Sequence, residues 1–133
     1  MIKLVYVPID VNGPIKTGKP INVQIGYTNS IPQILVELHD KHEYLDLGDN
    51  CSITADITNT DLVITDFTGT ITVKNPHRGQ LSILLNKEDF SMTGINILTV
   101  VCSCENYTYS FQLPIYVQTI TKNISFPLTQ TTS

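Results

Sequence analysis

Between Tyr107 and Val117 apolar and polar positions alternate without a break. Tyr107, Tyr109, Phe111, Leu113, Ile115 and Val117 share one parity; Thr108, Ser110, Gln112, Pro114 and Tyr116 share the other. A helix would scatter the six apolar side chains around its axis. A strand puts them on one face, so the stretch predicts a strand with one side in a core. Pro114 lacks a ladder donor, which places this strand near a sheet edge or puts a bulge at Pro114.

The same period recurs along the chain. Residues 2–7 (IKLVYV) predict a first strand, after which Pro8, Gly13, Pro14, Gly18 and Pro20 interrupt the path. Residues 1–20 are therefore expected as an N-terminal arm that folds back on its own sheet or pairs with a neighbour's edge. Further strands are expected at 21–27, 33–38, 51–58, 62–65, 70–74 and 80–85. Cys51, Ile53, Ala55 and Ile57 face inward on the third of these. HDKHEY (39–44) reads as a polar hairpin tip, with Leu45 and Leu47 re-entering the core. Asn86 to Phe90 reads as one helical turn capped by Asn86. Residues 95–104 are apolar on both parities, which predicts a strand covered on both faces or a central one. Glu105-Asn106 then turns the chain into the strand at Tyr107. Residues 119–133, Thr-rich with isolated Ile124 and Phe126, are expected as a C-terminal tail.

Composition agrees with strands. The 133 residues include 17 Ile and 17 Thr against a single Ala, Ala55, and β-branched side chains suit a pleated surface better than a helix. Strands separated by frequent turn signals predict an all-β, immunoglobulin-like antiparallel β-sandwich of seven to eight short strands. It spans residues 21–118, with arms at 1–20 and 119–133. With no Trp and no antibody-type cysteine pair, it is immunoglobulin-like only in the loose sense.

Charge and motifs argue mostly by exclusion. The net charge is −4 and the eight basic residues are scattered, whereas a nucleic-acid surface needs a basic stripe. No apolar run approaches the ~18 residues of a membrane span, and MIKLVYVPID reads as a strand rather than a leader. His39, Asp40, His42 and Glu43 are the densest set of ligand-type side chains, but consecutive residues on a hairpin tip point apart and read as a solvated turn. Cys102 lies mid-strand and reads as inert core, not as a nucleophile. The odd count of Cys51, Cys102 and Cys104 favours buried free thiols and assembly in a reducing cytoplasm, with a Cys51 pairing open under oxidising conditions. The Asn-x-Ser/Thr triplets at Asn50, Asn106 and Asn123 read as chance in so polar a chain. Tyr116 beside Thr108 and Gln112, together with Tyr6 and Tyr44, could form a tyrosine surface for a partner or a sugar. No phosphate loop, dinucleotide fingerprint or nucleophile elbow occurs. No catalytic, cofactor or metal residue is therefore assigned, and a non-enzymatic protein is expected.

The second half of the chain carries a resemblance. Leu45-Asp46-Leu47-Gly48 leads toward CSITADI; Gly79 to Leu85, Phe90 to Leu98 and Phe111 to Val117 follow as glycine-led or aromatic-led apolar strands. In this order, over roughly residues 21–118, the chain resembles the N-terminal domain of phage baseplate upper proteins and related fibre-anchoring domains. The resemblance implies a virion structural protein, an adaptor or anchor that links capsid or baseplate to a fibre. It implies other virion proteins as partners, a homo-oligomer or many-copy subunit, and no nucleic acid or membrane partner. Assembly in the host cytoplasm and residence in the virion would follow. The competing expectation is a ligand- or carbohydrate-binding β-sandwich module.

Overall fold

The computed structural model describes residues 3–12 and 20–121. Ten strands follow in chain order: β1 (Leu4–Asp10), β2 (Ile21–Gly26), β3 (Gln33–Asp40), β4 (Glu43–Tyr44), β5 (Ser52–Thr58), β6 (Ile64–Asp66), β7 (Thr70–Asn75), β8 (Gln80–Leu84), β9 (Gly94–Ser103) and β10 (Thr108–Ile120). They form two five-stranded sheets. The first has the order β1-β3-β8-β7 with β4 added to β3; the second runs β2-β10-β9-β5-β6. Two short 3-10 turns, Pro76–Arg78 and Lys87–Asp89, are capped by Asn75 and Asn86. The Asn86 side chain accepts from the Glu88 amide at 3.1 Å, as its position before an acidic turn predicts.

The sandwich expected from the sequence is present, with more strands than the seven or eight foreseen and with mixed sheets. β1 runs parallel to β3, and β2 runs parallel to β10. A parallel pair needs a crossover, and the opposite sheet supplies it. The chain leaves β1, crosses to β2 in the second sheet, and returns to β3. Alternation fixes which face of a strand is buried but not the direction of its neighbour, so an antiparallel sandwich was the reading available from the residues.

The core lies between the sheets. Ile34, Val36, Leu38, Leu81 and Ile83 face inward from the first sheet; Val23, Ile57, Leu98, Val100, Phe111, Leu113, Ile115 and Val117 face them from the second. Leu45, Leu47 and Phe90 close its ends from loops. β10 follows the alternation of its sequence, with Phe111, Leu113, Ile115 and Val117 buried. It is an inner strand where β2 flanks it, from Ile115 onward, and it continues through Ile120, beyond the expected boundary at 118. Its register with β9 passes Pro114 opposite Ile97 without a shift, so there is no bulge. β2 begins only opposite Ile115. A donor at position 114 would therefore have had no β2 partner to meet. Among the described residues, Thr108–Pro114 has no neighbour on that side. The edge suggested by Pro114 is real for half of the strand.

One other expectation changes. β9 is central but covered on one face only: Leu98, Val100 and Cys102 are buried, whereas Ile95 and Val101 stay exposed. Its buried face also carries Asn96, whose amide nitrogen donates to the Met92 and Gly94 carbonyls at 3.2 and 3.1 Å. The N-terminal segment takes the first of its two expected courses and folds back on its own sheet, β1 pairing with β3 along its whole length. At the far end of the second sheet the Tyr27 amide donates to the Ile120 carbonyl at 2.7 Å. Gly26, at φ +115°, permits that approach, because a Cβ there would overlap the Ile120 carbonyl. Ile124, Phe126 and Asn123 lie outside the described residues.

Candidate functional site

Alternation along β3 sends Ile34, Val36 and Leu38 into the core and turns Gln33, Leu35, Glu37 and His39 to the outer face of the first sheet. Glu37 is buried there, only 5% exposed, beneath neighbouring side chains. The Tyr6 hydroxyl on β1 donates to its Oε1, and Gln80 on β8 donates to its Oε2 at 2.6 Å. His39 Nε2 lies 3.1 Å from Oε1. The carboxylate thus ties three adjacent strands together. Burial alone would raise its pKa, but the bonds from Tyr6, Gln80 and His39 outweigh that and hold it below the ordinary carboxylate value. The same contact pushes the Tyr6 phenol up to about 12, because ionising it would strip the carboxylate of a donor and place two negative charges together.

Tyr44 extends this cluster. Its ring meets His39 edge-on at 5.2 Å, and the Arg78 guanidinium sits 4.1 Å above its centre. Tyr6 and Tyr44 are each about half exposed, at 50% and 48%. Two half-exposed tyrosines and a guanidinium therefore lie over a carboxylate that is itself buried and fully paired. The tyrosine hydroxyls and the guanidinium are the groups this surface can offer to a ligand's hydroxyls. Tyr116, grouped with them by the sequence reading, is instead on the outer face of the second sheet, opposite Ile95.

His39, Asp40, His42 and Glu43 do not converge. His39 turns to Glu37, Asp40 and Glu43 pair across the β3–β4 hairpin, and the Asn12 amide donates to Asp40. The ligand-type side chains that do come together, among the described residues, are the three cysteines, whose sulfurs all lie within 4.8 Å of one another. Cys51 and Cys104 form a disulfide, which overturns the reading of three free thiols. The β5–β9 register pairs Ser52 with Ser103, so the preceding and following cysteines are brought opposite each other. That register cannot be read from a count of cysteines. Cys102 is free and buried as expected, and burial pushes its thiol pKa up.

Two further features escaped the sequence reading. A groove of about 1080 Å³ opens between β1 and the unpaired half of β10, lined in part by Val7, Ile9, Tyr109 and Phe111. At the β5–β6 turn, Leu62, Val63 and Ile64 are 81%, 53% and 66% exposed. The Asn59 side chain stiffens this tip by accepting from the Asp61 and Val63 amides at 2.9 and 3.0 Å. Leu62 takes φ +64°, a left-handed conformation that a bulky side chain rarely adopts. Three consecutive apolar residues, Leu62-Val63-Ile64, beside a polar turn were the available signal.

No family model matches the chain, and no curated protein matches it. Among solved structures, the chain is similar to the N-terminal domain of phage TP901-1 ORF48. The TM-score is 0.62 at 6% identity, covering 88% of this chain and 99% of that one. At that identity the likeness establishes a shared β-sandwich fold.

Proposed function

We propose that this chain is a structural component of a phage particle, an adaptor or anchor that joins capsid or baseplate to a fibre through repeated symmetric contacts. The observation that supports this most is the likeness to the ORF48 N-terminal domain, which extends over nearly all of that domain. The distribution of exposed surface fits an assembling subunit. The groove beside β10 offers an unpaired strand edge, and the Leu62–Ile64 tip offers apolar side chains on a stiff turn. Each contact is weak alone, and repetition around a ring multiplies its effect. Assembly in the host cytoplasm and residence in the virion follow from this reading.

The test is particle incorporation. A chain ending at Thr121 keeps every described strand, so it should melt like the full chain while failing to enter particles. Normal incorporation would remove the tail from assembly. Removing residues 1–20 is a poorer test, since it strips β1 from its sheet. Light scattering on the purified full chain should show a homo-oligomer. A monomer at high concentration would count against repeated self-contact.

A second reading, a carbohydrate- or ligand-binding module, draws on the Tyr6–Tyr44 cluster around Glu37 and Arg78. Binding on a glycan array that is lost in Tyr44→Ala would support it. An empty array together with intact assembly would sink it.

A further inference from the structure

The three cysteines stand where nothing in the proposed assembly role uses them. Cys51 ends the loop before β5, Cys102 lies in the core on β9, and Cys104 opens the β9–β10 turn. The Cys102 sulfur sits 3.4 Å from that of Cys104, in addition to the Cys51–Cys104 bond. We propose that, once this disulfide is reduced, the three sulfurs form a binding site for one soft closed-shell cation of the zinc or copper(I) class. Disulfide and metal site are then two exclusive states of one cluster.

Distances support the fit. Metal–sulfur bonds of about 2.3 Å place thiolates about 3.8–4.0 Å apart in a tetrahedral or trigonal arrangement. Cys102 and Cys104, at 3.4 Å, need to part only slightly. Cys51 must swing away from Cys104, and it is only partly buried. The backbone does not depend on the disulfide to stay in place. The Glu105 amide donates to the Asp49 carbonyl at 3.2 Å and the Asn106 amide to the Leu47 carbonyl at 3.1 Å. The Asp49 amide donates to Glu105 Oε1 at 3.1 Å. These bonds hold the loop bearing Cys51 against the turn bearing Cys104. Thiolate sulfur selects soft cations, and three thiolates leave a fourth position to solvent on the Cys51 side.

The chemistry balances as follows. A dithiol or phosphine reductant gives two electrons to the Cys51–Cys104 bond, leaving two thiols. The cation then displaces three protons to solvent and takes three sulfur lone pairs. Reoxidation by a peroxide or disulfide withdraws two electrons from Cys51 and Cys104, re-forms their bond, releases the ion and returns a proton to Cys102.

The experiment uses the full chain, reduced with a phosphine, desalted without oxygen and titrated with Cd²⁺ as a spectroscopic probe. The expected result is an ultraviolet thiolate-to-cadmium band that rises to one ion per chain, with about three protons released per ion. The oxidised protein should show neither. Cys102→Ser keeps both disulfide partners. It should lower the band per ion to that of two thiolates and weaken binding by about a hundredfold, since even an outer-shell change costs ten- to hundredfold. A reduced wild-type chain without the band overturns the site, as does a Cys102→Ser chain that titrates like wild type. Should circular dichroism show that Cys102→Ser does not fold, Cys51→Ser at the partly exposed strand start carries the same expectation.

Discussion

Replacing Tyr6 with Phe removes a single oxygen from the outer face of the first sheet, and its consequence can be worked out. The hydroxyl donates to Glu37, a carboxylate only 5% exposed. A hydrogen bond to a charged group contributes about 1.5–3 kcal/mol. Tyr6 itself is 50% exposed, and solvent screening brings the figure to the lower end, about 1.5 kcal/mol. For a domain of this size that is a fall in Tm of about 5 °C. Gln80 and His39 still hold the carboxylate, so the variant should stay folded. The loss should also be local. Among the described residues β1 is an edge strand whose ladder partner is β3, so its amides should exchange faster, while Ile34–Val36, shared by β3 and β8, keep their protection.

The pH dependence gives a second reading of the same bond. Glu37 titrates below its ordinary 4.5, so its contribution is complete above that value and is lost as pH falls through the lower folded pKa. The Tyr6 phenol is raised from 10.0 to about 12, so its contribution is complete below 10.0 and is lost as pH rises toward 12. Scanning calorimetry across both limbs, with a double-mutant cycle through Glu37→Gln, isolates the pair. In Tyr6→Phe the alkaline limb should flatten. An unchanged Tm together with an unchanged alkaline limb would refute the assignment of this bond as what fastens β1 to the sheet.

Other outcomes follow from single features. The Cys51–Cys104 bond closes a separation of 53 residues, so reduction should cost about 4 kcal/mol by loop entropy, and Cys104→Ser should melt with the reduced protein; equal Tm values for the oxidised and reduced chains would contradict this. Gly26→Ala places a Cβ against the Ile120 carbonyl at φ +115° and should destabilise by about 2 kcal/mol or more in denaturant melts. Leu62→Gly relieves a left-handed leucine and should stabilise the isolated chain by about 1 kcal/mol, while weakening any association through the apolar tip. His77 and Asp46 are 2.9 Å apart on the surface, and this pairing raises the His77 pKa; Asp46→Asn should bring it back toward 6.5 in an NMR titration.

What the residues disclosed was local. The alternation from Tyr109 to Val117 in β10 and from Ile53 to Ile57 in β5 marks the buried face directly, because each side chain reports its own environment. The Asn86 cap was legible for the same reason. What escaped involves partners distant in sequence. Direction in the β1–β3 and β2–β10 pairs is a property of the crossover, not of either strand. The Cys51–Cys104 bond needs the β5–β9 register. The Glu37 cluster joins residues from β1, β3 and β8, and nothing in Tyr6 or Gln80 alone predicts a common carboxylate. β9 misled because Ile95, Ile97 and Val101 are apolar yet face outward, where Ile95 and Ile97 meet Tyr116 and Pro114 and Val101 meets Ser110 across the strands instead of a second layer.

The placement of β1 changes where an assembling subunit would find its contacts. A free N-terminal arm could reach a neighbour, but β1 already pairs with β3 along its length and is bonded to Glu37. Releasing it would expose Val5, Val7 and Ile9, which pack on the core, and would leave a buried carboxylate short of a donor. Both costs oppose exchange of β1 between copies. Surfaces that need no such rearrangement are the unpaired half of β10 and the apolar tip at Leu62. Edge pairing at Thr108–Leu113 would add main-chain bonds without breaking any ladder made on that side among the described residues. Ser110→Lys and Gln112→Lys, on the outward parity of β10, should therefore impair assembly with little change in Tm, whereas disrupting β1 should lower Tm and assembly together. Comparing the two variants separates a contact surface from a folding requirement.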